Sequence, residues 1–189
     1  MELLSGILSA FGLSASAGLN AYIPLLVIGV TAHYTELIQL SSPWDTLASP
    51  WILILLGVLV IIEMLADKIT AVNHINDIIQ TIVRPAAGAI VFAASARVVS
   101  DIHPILALGC GLLIAGSVHV VKSAAIRPAV TATTGGTANI PVSIAEDILA
   151  TITSLLAVLI PIFLGVFLVL IFAVIIWWFQ KRANKRKLV

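Results

Sequence analysis

Apolar residues run along this chain in long blocks, and small clusters of polar residues mark where the blocks stop. The first uncharged stretch extends from Leu3 to Ala32. At about 1.5 Å per residue it would make a helix of roughly 45 Å, against a hydrocarbon core of about 30 Å. An interruption is therefore predicted in Ser14-Ala-Ser-Ala-Gly-Leu-Asn-Ala-Tyr-Ile-Pro24, where small residues, an Asn and a Pro collect inside apolar sequence. His33, Tyr34, Thr35 and Glu36 end the block.

Four further blocks follow. One covers about Trp51 to Ala66, after a segment without Lys or Arg. The next, about Thr81 to Val99, holds only twelve uncharged residues between Arg84 and Arg97. Those arginines must snorkel or face a polar interior. A block from about Ile105 to Val121 ends at His119 and Lys122, and Thr131 to Pro141 reads as a loop of small and hydroxylated residues. Ser143 and Glu146 match an S-x-x-E capping box, which predicts a helix start immediately after them. From Ile148 to Gln180 no residue is charged, too long a run for one span, and Pro161 and Gly165 divide it into a predicted hairpin. The pattern predicts an all-α, polytopic transmembrane helix bundle of about six spans, with interrupted helices near residues 14–24 and 131–142. Residues 1–180 form one transmembrane domain and 181–189 a basic cytoplasmic tail.

Composition agrees with the pattern. Of 189 residues, 60% are hydrophobic and 10% charged, with a mean hydropathy of +1.15, whereas a soluble domain carries roughly a quarter charged residues. Spans consume nearly the whole length, which leaves no room for a soluble enzyme module. The net charge of +1 hides an asymmetry, because Lys181, Arg182, Lys185, Arg186 and Lys187 crowd the last nine positions. Such a tail is a cytoplasmic anchor under the positive-inside rule, so both termini are expected in the cytoplasm and nucleic acid is not an expected partner. Cys110 is alone in an apolar run and can form neither an internal disulfide nor a thiolate metal cluster. Met1-Glu2 leads straight into apolar sequence without the basic region of a signal peptide, so the first segment is expected to remain. No G-x-S-x-G, H-E-x-x-H, P-loop or paired-Cys motif is present, and neither enzymatic activity nor a cofactor is expected.

Three constellations carry candidate chemistry. The two breaks each place an Asn shortly before a Pro, Asn20 before Pro24 and Asn139 before Pro141. Broken helices at membrane depth leave N–H groups for an anion and carbonyls for a cation, while close packing through small residues is the plainer reading. Glu63, Asp67, His74 and Asp77 would fall within an arc of about 80° if the helix continued past Lys68, as an ion or proton relay or as a solvated face. Lys68, Arg84, Lys122 and Arg127 are predicted near the cytoplasmic boundary with Glu146 and Asp147. They suit either a vestibule for an anionic group or simple topological anchoring.

Ser16-Ala-Gly-Leu-Asn-Ala-Tyr22 with Pro24, Glu63 with Asp67-Lys68, Arg84-Pro85, Lys122 with Arg127, and Asn139 with Ser143 and Glu146-Asp147 resemble a bacterial membrane-protein family catalogued as domain of unknown function 4126. The resemblance covers the chain to about Pro161. It implies a small polytopic membrane protein, in the bacterial inner membrane, and supplies no substrate. The expected function is a small transporter or channel for a solute or ion, with a polar pathway through Asn20, Glu63, Asp67, Lys68, Arg84, Lys122, Arg127, Asn139, Ser143, Glu146 and Asp147. The alternative is a structural or accessory protein binding a partner or a lipid head group. Expected partners are the bilayer, further copies of the chain, and a small solute, ion or lipid head group.

Overall fold

The computed structural model describes residues 2–68, 70–96 and 102–161, and beyond them helical positions at 163, 166, 167, 169–171, 174, 176, 177 and 181. Within these residues the fold is entirely helical: α1 (Glu2–Leu19), α2 (Tyr22–Tyr34), a 3-10 turn (Trp44–Ala48), α3 (Pro50–Ala66), α4 (Thr70–Ala96), α5 (Pro104–Val121), a π turn (Lys122–Ile126), α6 (Arg127–Thr134) and α7 (Asn139–Leu159). Asn76–Ser95, the continuous run Pro104–Thr134, and Asn139–Leu159 are long and apolar enough to cross a membrane, while Leu4–Leu19, Tyr22–Tyr34 and Pro50–Ala66 are shorter apolar helices.

Helix α1 sits at the centre, against α4, α5, α7 and α2. Its buried side chains are almost all small: Ala10, Ser14, Ser16 and Ala17, with Leu13 the exception. Small residues let helix backbones approach where lipid offers no hydrophobic drive for association. The tightest approach is between α4 and α5, where a Cβ on Gly88 would collide with the Ala115 side chain and the Gly111 carbonyl. Large apolar side chains point outward instead, as at Ile54, Leu55, Val58, Ile61 and Ile62 on α3, where only Leu56 and Glu63 are buried. A core of small and polar residues inside an apolar shell reverses the soluble pattern and suits lipid.

Several boundaries differ from the sequence reading, each for a local reason. The first break is confined to Asn20 and Ala21, since Ser14–Leu19 remain helical and Pro24 falls in the first turn of α2, where a missing N–H costs nothing. The second break spans only residues 135–138: α6 stops at Gly135, whose φ of 62° is left-handed, and α7 already begins at Asn139. Pro141 again occupies a first helical turn. Ser143 and Glu146 therefore lie inside α7 and form no capping box, because the helix started one turn earlier. The acidic residues 63, 67, 74 and 77 do not share one helix face, because α3 stops at Ala66 and a new helix begins at Thr70. The fourth span does not end at Lys122. Its helix continues through the π turn into α6, and the Arg127 N–H bonds to the Lys122 carbonyl five residues back. Pro128 explains the π turn, for it has no N–H to return to residue 124 and its ring crowds that carbonyl. The expected division at Pro161 begins where α7 ends at Leu159 and Ile160 leaves helical geometry. Arg97 and the His74 side chain lie outside the described residues.

Candidate functional site

At the break between α1 and α2, two chain ends face one another with opposite partial charges. The exposed N–H groups of α2 are satisfied from two sources. Asn20 Oδ1 accepts from Tyr22 and Ile23 (3.2 and 3.1 Å), and the Glu63 carboxylate accepts from Ala21 at 3.1 and 3.3 Å. On the other side, Lys122 Nζ donates to the Leu19 carbonyl at 2.9 Å, near the negative end of α1. The break thus holds an anion at its positive end and a cation at its negative end, both supplied by the chain itself.

These two residues belong to a larger cluster. Arg84, fully buried, donates twice to Glu63 Oε1 (3.2 and 3.0 Å) and lies 3.5 Å from Asp67. It therefore faces the interior and does not snorkel. Its third nitrogen meets His119 Nδ1 at 3.2 Å. An arginine can only donate, so Nδ1 is an acceptor and the imidazole is neutral. Thr81 Oγ1 uses its own proton on the Asp77 carbonyl and so accepts from His119 Nε2, 3.1 Å away. Arg127 reaches Asp67 (3.0 Å) and both oxygens of Asp77 (3.1 and 3.2 Å), joining the end of α3 to α4. Lys68 pairs with Asp147 at 3.3 Å, and Asp147 also accepts from Asn20 at 3.1 Å. Lys122 lies 2.8 Å from Glu146 and 3.6 Å from Asp67. Burial alone would raise the Asp67 carboxyl, but Lys122, Arg127 and Arg84 outweigh it and hold that carboxyl below the usual carboxylate range.

Of the sequence candidates, Asn20, Glu63, Asp67, Lys68, Arg84, Lys122, Arg127, Ser143, Glu146 and Asp147 converge at this end of the bundle. Asn139 does not: it bonds Thr131 (3.1 and 3.3 Å) across the turn after α6, in an exposed pair. The two breaks therefore do not meet, and α7 contributes to the cluster through its interior, at Ser143, Glu146 and Asp147. Sequence reading missed Asn76, which donates to Asp67 at 2.7 Å, and the link from Arg84 through His119 to Thr81. His119 carried a signal in hindsight, one polar residue inside an apolar span three positions before Lys122.

The cluster is full of charge. A pocket of about 120 Å³ lies elsewhere, at the other end of the bundle, with Ser5, Ser9, Ser95 and Pro161 among its lining residues. Between pocket and cluster, hydroxyls run along the α1–α7 interface: Ser9 donates to the Ala157 carbonyl (2.6 Å), and Ser16 meets both the Ala150 carbonyl and Ser154 (2.8 and 2.7 Å). No group of three or more His, Cys, Asp or Glu side chains stands ready for a metal ion among the described residues.

A helical bundle with an apolar exterior, a core of small residues and a buried ion-pair network at one end defines the class: an integral membrane protein of the polytopic helical type. Within that class, the profile of a family described as domain of unknown function (DUF4126) matches residues 7–181, and the chain belongs to this family. No curated protein and no solved structure matches the chain.

Proposed function

We propose that the protein is a small integral membrane transporter or channel for a small solute or ion, acting as a homo-oligomer in the bacterial inner membrane with both termini cytoplasmic. The observation that carries this reading is the buried cluster itself. Removing each charge from water has an effective cost of several kcal/mol, offset only by well-placed partners. Ionisable groups inside membrane helices mark ion and substrate pathways. Here they gather at a broken helix, and a seam of hydroxyls leads from them toward a serine-lined pocket at the opposite end. In this pathway Glu63 and Asn20 hold the break open at the positive end of α2, Lys122 holds its other side, and Arg84 and Arg127 set the positions of the carboxylates.

The test is flux. The purified full chain in liposomes is challenged with a panel of ions, metabolites and lipids. Movement above that of empty liposomes, lost in Glu63→Gln, is the expected result. A panel without movement counts against transport.

A second reading, an accessory protein that holds a partner or lipid head group, draws on one observation. Lys68, Arg84, Lys122 and Arg127 each already have a carboxylate within 4.0 Å, as a rigid clamp would. Under that reading Glu63→Gln and Glu146→Gln alter complex formation and leave flux untouched.

A further inference from the structure

The carboxylates of the cluster are not equally served. Glu63 accepts from Ala21 N–H and Arg84, Asp67 from Asn76 and Arg127, Asp77 from Arg127, and Asp147 from Asn20 and Lys68. Glu146 accepts no hydrogen bond at either oxygen, although its side chain is only 8% exposed. Lys122 stands 2.8 Å from Oε2 but out of line for a hydrogen bond, and Arg127 is 3.6 Å away. One helical turn before it, the Ser143 hydroxyl is 1% exposed and also without a partner. Buried polar groups are ordinarily satisfied, and two neighbouring exceptions on one helix face call for an explanation.

Charge points to the same residue. Five carboxylates (Glu63, Asp67, Asp77, Glu146, Asp147) face four cations (Lys68, Arg84, Lys122, Arg127), and His119 is neutral by its hydrogen bonds. The described cluster thus carries one uncompensated negative charge in surroundings of low dielectric, where such a charge attracts a counter-ion strongly. Lys122 from the π turn and Arg127 from α6 face Glu146, and behind them, linked through these two cations, stand Asp67 from the end of α3, Asp77 and Arg84 from α4 and His119 from α5, with Asp147 next to it on its own helix. Only Lys122 and Arg127 approach Glu146 directly, both at Oε2. Oε1 is left for the incoming charge.

We propose that Glu146 takes up one small monovalent cation, a proton or a sodium-sized ion, with Ser143 Oγ as its companion ligand. A proton converts the carboxylate to a carboxylic acid, which gains a donor and loosens its hold on Lys122. A sodium ion would leave the carboxylate charged and take Oε1 and Oγ as oxygen ligands. Either occupant neutralises the cluster. As a coupling or permeating ion it gives the transport reading its species and rests on that reading for its purpose; the binding step does not.

Binding and flux are measured separately on the full chain. In nanodiscs, infrared difference spectra across an acid titration in sodium-free buffer report carboxylic-acid formation, and calorimetric titration with NaCl at fixed pH reports sodium. One arm should show an uptake component that is absent in Glu146→Gln and weakened about tenfold in Ser143→Ala through loss of one buried ligand contact. Uptake in neither arm, or uptake unchanged in Glu146→Gln, overturns the assignment. If Glu146→Gln does not fold, Glu146→Asp and Ser143→Ala decide, and unchanged affinity in both overturns it. Wild-type flux in liposomes separates the two claims: flux without uptake at Glu146 removes this site and keeps transport, while uptake at Glu146 without flux keeps the site and removes transport.

Discussion

Arg84 is the residue on which the cluster depends most visibly. Its planar fork serves Glu63, Asp67 and His119 at once, from a fully buried position. Removing one partner from a buried ion pair costs about 3–5 kcal/mol, because the other charge is left without compensation. Arg84→Met should therefore lower thermal stability in detergent severely, and Arg84→Lys should recover only part of the loss, since an ammonium cannot reproduce the fork. An Arg84→Met protein that melts like wild type would mean that Glu63 is already neutral. Asn20→Ala acts more mildly, with a loss of about 1 kcal/mol for the missing cap on α2. Acid acts through Asp67. Its carboxyl is held below the ordinary range, so folding is favoured by this group at any pH above its unfolded value of about 3.9. That contribution disappears as pH falls through the lower native value. Thermal stability should thus drop on acidification below about pH 4, and Asp67→Asn should flatten that drop.

Between elements, the contact that brings the cluster together is the close crossing of α4 and α5, since it sets Arg84 against His119. A side chain at Gly111 would run into the Gly88 carbonyl, Phe92 and Ala89. Gly111→Leu should force the helices apart, and a loss of several degrees in melting temperature together with weaker binding of any ion at Glu146 is the expected pair of effects. Little of this was legible in the sequence. Counting apolar residues against bilayer thickness was enough to find the helices, the break near Asn20 and the division at Pro161. It could not find the π turn, because a proline inside a helical run marks a disturbance without saying which carbonyl is freed. Nor could it see that α7 begins at Asn139, since Ser143 with Glu146 matches a capping box as well as it matches two buried ligands. The charged residues of the cluster were visible as unusual for an apolar chain, but pairing depends on helix rotation, and that is why Asn139 was grouped with residues it does not approach.

Over the whole molecule, polarity is sorted by depth and side. Buried charge sits at the end where α1 and α3 finish, while the flanks of α3, α5 and α7 present Ile, Leu and Val outward. In water this surface would be an aggregation liability; in lipid it is the solvent contact. Cys110 offers a direct probe, because it lies exposed on α5 between Leu106 and Leu113, which are 64% and 69% exposed. If that flank faces acyl chains, a water-soluble maleimide has no access to the thiol. Intact proteoliposomes should leave Cys110 unlabelled until SDS is added. Thr133→Cys in a Cys110→Ala background should label at once, since Thr133 is exposed beside the turn that follows α6. Rapid labelling of Cys110 in intact vesicles would place that flank against water. Ile54, Leu55 and the other outward residues of α3 would then need a protein partner to cover them, and the accessory reading would gain over transport.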